Sequence, residues 1–173
     1  MYGGRQLHPP KNLPVRPTTD FAKTGLFNVL SHRYNLKKLK VLDLYAGTGA
    51  LTYEFASRGC TEVTAVDKHP GCIRYIRETL RLLQAAPGIQ AINADALRFL
   101  KNCNQQYDII IADAPYAETP AAALTELVFG LTLLRPGGLL IIEHESRQPL
   151  NEVPNLLETR KYGNVSFSFF GTS

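Results

Sequence analysis

Asp43-Leu44-Tyr45-Ala46-Gly47-Thr48-Gly49 puts a carboxylate near the end of an apolar run and follows it with two glycines. Glycine lets backbone approach a bound molecule where a Cβ would collide. Asp67 lies 20 residues past Gly47 at the end of the next apolar run, where a carboxylate can accept hydrogen bonds from both hydroxyls of a ribose. Together they describe a nucleoside site. A carboxylate as close to the turn as Asp43 would repel a pyrophosphate and favour an ammonium group. A ribose carrying a cation is what S-adenosylmethionine (SAM) offers. The rival is a nicotinamide-dependent oxidoreductase, whose G-x-G-x-x-G pattern would require glycine where this chain has Thr52.

A second constellation is "IADAPYAET" at 111–119, which closes an apolar run with an acid, a proline and an aromatic ring. Packing alone does not ask for this, because Asp113 must be hydrated or paired and Tyr116 falls where loops face solvent. Asp95 and Glu143 are the other acids at the ends of apolar runs. His144, beside Glu143, is read as structural. The spacing of His, Cys and acidic residues matches no metal-ligand set, so no metal is expected.

The elements that must position these residues alternate. "LKVLDL", "EVTAVD", "IQAIN", "YDIIIAD" and "LLIIE" are short continuous apolar runs, the pattern of strands covered on both faces. Between them "ALTYEFASRG" has helical spacing, and Ile73, Ile76, Leu80 and Leu83 share one helical face up to Pro87-Gly88. "ALRFLKN" and "TPAAALTELVFGLTLL" complete the helices, and Arg135-Pro136-Gly137-Gly138 is predicted to turn into the next strand. This is a doubly wound α/β sheet. "LETRKYGNVSFSFF" reads as an antiparallel hairpin at the sheet edge, turning at Gly163-Asn164 with Val165, Phe167 and Phe169 alternating inward. In such a sheet ligands collect at the carboxyl ends of the strands, where the acids lie.

The 173 residues, 45% hydrophobic and 20% charged, predict one globular domain over 1–173. Cys60, Cys72 and Cys103 are too few, too scattered and odd in number for a secreted disulfide framework, and neither a membrane span nor a signal pattern is present, so a cytoplasmic protein is expected. Charge is unevenly placed. Arg5, Lys11, Arg16, Lys23, Arg33, Lys37, Lys38 and Lys40 face only Asp20 in the first 40 positions, a net +7, while the rest is net −3. A basic arm on a mildly acidic body is suited to phosphate contacts, or is a solvated basic edge.

"VLDLYAGTGAL", "AVDK", "NADA" and "ADAPY" occur in the order and spacing of class I SAM-dependent methyltransferases, which the chain resembles. "RPTTDFAKTGLFNVL" and "RKYGNVSFSFF" narrow the resemblance to the RsmD-type 16S rRNA (guanine-N2)-methyltransferases, over nearly the whole chain. Ala114 stands where that family commonly has proline, and Thr24 and Gly25 replace its usual acid and small residue.

The resemblance implies a Rossmann-like seven-stranded sheet with the C-terminal hairpin, and methyl transfer from SAM to guanine N2 in 16S rRNA, in an assembling 30S subunit. A planar exocyclic amine is a poor nucleophile whose two N–H bonds need acceptors. Asp113 would supply one and a carbonyl of the Ala114-Pro115 turn the other, while Tyr116 offers a ring for the base to stack on. The implied SAM-binding set is Asp43, Tyr45, Gly47, Thr48, Gly49, Asp67, Lys68, Asp95, Ala96, Thr18 and Thr19. Asp95 would accept from adenine N6 or serve as an N-cap, and Lys68 would flank the adenosine or be solvated. Thr18, Thr19 and Asp20 also cap a helix in the basic segment 1–36. Arg5, Lys11 and Arg16 are candidate phosphate contacts. A monomer is expected. Adenine N6, a glutamine amide, or a non-catalytic RNA-binding relative remain open, since each acceptor is a planar NH₂ and Ala114 departs from the family pattern.

Overall fold

The structure, a computed structural model, describes residues 6–13 and 18–172. Thirteen elements run α1 (Asp20–Arg33), a 3-10 turn (Leu36–Lys38), β1 (Lys40–Leu44), α2 (Ala50–Ser57), β2 (Glu62–Asp67), α3 (Pro70–Leu82), β3 (Ile89–Asn93), α4 (Ala96–Lys101), β4 (Tyr107–Ala112), α5 (Ala121–Gly130), β5 (Leu134–Glu145), β6 (Leu156–Tyr162) and β7 (Val165–Phe170). The strands form one seven-stranded sheet in the order β3-β2-β1-β4-β5-β7-β6. The first five are parallel; β7 and β6 run antiparallel at the far edge, as the hairpin pattern predicts. Strand order reverses between β1 and β4, which are hydrogen-bonded neighbours.

Continuous apolar runs are explained by a core on each face. Val41, Ile109 and Ile111 join α1, α2 and α3 on one side, while Leu42, Ile110 and Ala112 join α4 and α5 on the other. Each strand therefore buries successive side chains in opposite cores. Full burial of a residue such as Ile110 contributes about 2 kcal/mol of transfer free energy. Ile73, Ile76 and Leu80 are buried on the predicted face of α3, and Leu83, just past its end, is buried with them.

Three boundaries differ from expectation. Helix α3 stops at Leu82, short of Pro87, because Gln84 turns left-handed (φ 50°) and Ala85 N–H reaches back to Leu80 O at 3.0 Å. Helix α5 stops at Gly130 and not at Leu134, because Thr132 (φ 53°) closes the same kind of cap with Leu133 N–H on Val128 O at 3.0 Å. Both caps use residues other than the glycine that marks such a stop in sequence. Arg135-Pro136-Gly137-Gly138, predicted as a turn, bulges within β5: Tyr107 faces Leu134 but Ile109 faces Leu139. In β7 the serines between the inward phenylalanines are buried too. Ser168 hydrogen-bonds His144 and Thr159 at 2.7 Å each, and Ser166 hydrogen-bonds Ser146 at 2.8 Å.

Candidate active site

Two cavities open above the carboxyl ends of the strands at the reversal of strand order. The first, about 620 Å³, is lined by the turns after β1 and β2, the start of α4 and the loop after β4. The second, about 650 Å³, lies between that loop, the end of β5 and the β6–β7 turn. Each has the volume of a small-molecule site.

The turn after β1 is tight because three of its residues are left-handed: Tyr45 (φ 57°), Gly47 (φ 58°) and Gly49 (φ 86°). Gly47 and Thr48 line the first cavity. Gly49 is not among the lining residues; a Cβ there would lie 2.8 Å from the Tyr53 ring, so its bareness makes room for that side chain. Asp67 organises the turn. Its Oδ2 accepts from Gly47 N–H at 2.9 Å and its Oδ1 from His69 N–H at 2.8 Å, while further lone pairs remain for ribose hydroxyls. His69 in turn caps α3, accepting through Nδ1 from Gly71 N–H at 3.1 Å.

Asp43 is 2% exposed, and its Oδ2 accepts from the Thr52 hydroxyl at 2.7 Å. Burial pushes its carboxyl up to about 7; the Thr52 hydrogen bonds oppose the shift and the nearby charges of Asp113 and Asp67 add to it. Thr52, which in the sequence is only the residue that spoils a dinucleotide pattern, is thus the partner of a principal acid. A hydroxyl-bearing residue nine positions after a strand-end Asp, in the first turn of α2, was the available signal. Asp95 is the predicted cap of α4, its Oδ1 accepting from Arg98 N–H at 3.0 Å, and it also lines the first cavity with Ala96 beside it. Lys68 is exposed and paired with Glu118 at 3.0 Å, tethering the loop after β4. Tyr45 donates its hydroxyl to Thr119 Oγ1 of that loop at 3.0 Å.

Asp113, Ala114 and Thr119 line both cavities. Pro115 faces only the first and Tyr116, 58% exposed, only the second, so the loop residues divide between the two spaces. Thr18 and Thr19 divide likewise: Thr18 lines the first cavity, and Thr19 lines the second while its Oγ1 accepts from Ala22 N–H at 3.2 Å as the cap of α1. Thr18 also donates to Glu143 Oε2 at 2.7 Å. Burial, with the Asp113 charge behind it, pushes the Glu143 carboxyl up to about 7. His144 is hydrogen-bonded through both ring nitrogens, to Ser168 and to the Glu145 carbonyl, and burial lowers its pKa, consistent with a structural role.

The basic arm is only partly free. Arg5 and Arg16 lie outside the described residues, and Lys11 is exposed but lines neither cavity. Lys23 is within 4 Å of Asp20 and Glu54, and Arg33 pairs with Glu158 and stacks 5.5 Å over the Phe169 ring. Those two cations hold α1 against the body. Lys23 and Arg33 are therefore drawn off the phosphate-contacting surplus.

Around the first cavity Asp43, Asp67, Asp95 and Asp113 converge, with Lys68 the one cation among the described lining side chains, itself paired. That field favours a ligand with an ammonium and a sulfonium and disfavours a pyrophosphate. The donor set fits SAM: a carboxylate for each end of the molecule and bare backbone where it must pass close to the turn. The sheet order, the glycine turn and the acids at successive strand ends define a class I SAM-dependent methyltransferase.

Within that class, the chain belongs to the family described as Conserved hypothetical protein 95, whose family model matches residues 1–171. It is 32% identical over 173 residues to the putative rRNA methyltransferase YlbH of Bacillus subtilis (strain 168), covering 96% of this chain and 93% of the relative. It is 32% identical over 166 residues to the ribosomal RNA small subunit methyltransferase D of Buchnera aphidicola subsp. Baizongia pistaciae, covering 92% and 82%. A solved structure of a hypothetical protein of Thermus thermophilus superposes with a TM-score of 0.83 at 27% identity, covering 98% of this chain and 94% of that one.

Proposed function

We propose that the protein methylates the exocyclic N2 of a guanine in small-subunit rRNA, taking the methyl from SAM. The observation that carries this reading is the position of Asp113 and Ala114 in the wall common to two cavities, one suited to a cationic nucleoside and the other open beside an exposed tyrosine. Relatives across the length of the chain carry names for rRNA methylation, which supports the choice of polymer.

Bound SAM would supply an electrophilic methyl on its sulfonium. Asp67 holds the ribose, Asp95 with Ala96 the adenine, and Asp43 the ammonium end. Asp113 accepts one N–H of the target amine and a carbonyl of the Ala114-Pro115 turn the other, so that the nitrogen lone pair faces the first cavity. Tyr116 stacks on the displaced base. The amine carries the positive charge once it has been methylated and sheds its proton afterwards, so the residues position and stabilise without a strong base. Residues 1–36 meet the rRNA backbone, and the assembling 30S particle presents the base already unpaired or readily extruded. The reading also implies a cytoplasmic monomer.

The test is transfer of labelled methyl from SAM to 30S subunits from a strain lacking this enzyme, followed by mapping of the modified base. Asp113→Ala is expected to abolish transfer while leaving SAM binding intact. Equal loss of both overturns the role of Asp113, and a label on adenine N6 overturns the choice of base.

A further inference from the structure

If a guanine amine is the acceptor, the rest of its Watson–Crick edge must also find partners, and Glu143 stands where that edge would fall. Ala112 pairs with Ile142 across β4 and β5, so Asp113 and Glu143 are the next residues outward on adjacent parallel strands, and both line the second cavity. Glu143 is only 8% exposed. It is held from two sides, by the Thr18 hydroxyl at 2.7 Å on Oε2 and by the antiparallel pairing of its backbone position with Phe167. A carboxylate so fixed is preorganised to read a base edge.

Guanine presents two kinds of donor side by side, the N2 amine and N1–H. Adenine presents an amine beside the bare lone pair of N1. Two neighbouring carboxylates match the first pattern and oppose the second. We propose that Glu143 determines specificity for guanine by accepting the N1–H of the base whose N2 amine Asp113 holds. The inference rests on the function proposed above and adds the residue that selects the base. Burial makes the Glu143 charge costly without a ligand, so an N1–H donor restores to it what water no longer supplies.

The test replaces the hydrogen-bonding pattern of the target while keeping its amine. Once the modified position is mapped, 30S subunits are reconstituted with 16S rRNA carrying guanine or 2-aminopurine there; 2-aminopurine keeps N2 but has an N1 lone pair in place of N1–H. Wild type is expected to favour guanine by at least about tenfold in kcat/KM, the discrimination of one good base contact. Glu143→Gln, whose amide can donate to N1, is expected to narrow that ratio below about threefold or invert it, with unchanged binding of S-adenosylhomocysteine as evidence that the variant is folded. The Glu143→Gln arm separates this contact from any preference arising at O6, which 2-aminopurine also lacks. Equal use of both bases by wild type, or undiminished preference in folded Glu143→Gln, overturns the role of Glu143 alone. Failure of wild type to methylate guanine in either particle overturns the proposed function with it.

Discussion

Replacing Asp43 by Asn should make the ligand-free protein more stable and its SAM site worse. The folded carboxyl is pushed from 3.8 up to about 7, chiefly by burial. The folded state therefore holds a proton that the unfolded chain releases near pH 4, and folding is opposed progressively as pH rises from about 4 to about 7 and uniformly above that. Three pKa units correspond to about 4 kcal/mol. Asn keeps an acceptor for the Thr52 hydroxyl at Oδ1 but buries an NH₂ group, which returns about 2 kcal/mol as an unsatisfied donor. The net expectation is a gain of about 2 kcal/mol at pH 8 by urea denaturation, and no gain at pH 3, where both side chains are neutral. Binding runs the other way. The ammonium of S-adenosylhomocysteine favours the ionised carboxylate, so wild-type affinity should rise with pH up to about 7 and level off, releasing about half a proton per ligand at pH 7. Calorimetry in buffers of different ionisation enthalpy reads that proton directly. Asp43→Asn should bind more weakly and lose the pH dependence. A variant no more stable than wild type at pH 8, or one that still releases the proton, would refute the assignment of the buried charge to Asp43.

Three further outcomes are expected. Thr52→Val removes the hydroxyl that steadies the Asp43 carboxylate at 2.7 Å and should lower stability by about 2 kcal/mol at pH 8 and by less at pH 5, where Asp43 is protonated; melts at the two pH values measure the difference. Gly25→Ala places a methyl against the Tyr162 ring and should destabilise by about 2 kcal/mol, with most of the loss absent when Tyr162 is already alanine, as a double-mutant cycle would show. Asp67→Ala strands the N–H groups of Gly47 and His69 and removes the proposed ribose acceptor; S-adenosylhomocysteine affinity by calorimetry should fall about a hundredfold, with little change in far-ultraviolet circular dichroism.

Strands were legible where burial on both faces writes itself as an unbroken apolar run, as in "YDIIIA" of β4, and the acids after those runs marked the ends that carry the cavities. Helix stops were legible where glycine does the stopping, as at Gly59 after α2, whereas the left-handed Gln84 and Thr132 passed unseen. Gly25 illustrates the same limit from the other side. In sequence it is a departure from a family pattern inside a helix; in the fold it is the gap into which the Tyr162 ring from β6 fits. Thr18 and Glu143 are 125 residues apart, and nothing local in either says that they touch. Pairing across that distance is a property of the topology, which brings the entry to α1 over the end of β5.

The same topology bears on Ala114, the position where proline would have stiffened the loop after β4. Rigidity there is supplied from both ends of the cofactor site. The Pro115 carbonyl accepts from Glu118 N–H at 3.0 Å and Thr119 N–H at 2.9 Å, closing the loop on itself. Lys68, from the tip of β2, pairs with Glu118; both side chains are more than half exposed, so water screens the pair and it contributes little. The stronger tie is partly buried. Thr119 is 6% exposed and takes the hydroxyl of Tyr45, a residue of the glycine turn held in a left-handed conformation that an aromatic side chain does not adopt unaided. Tyr45 thus belongs to the turn that borders the first cavity and at the same time fixes the loop that presents Asp113 to the second. A ligand that orders the turn also orders the loop, so with alanine at 114 the loop geometry proposed to hold the amine depends on an occupied first cavity more than a proline-stiffened loop would.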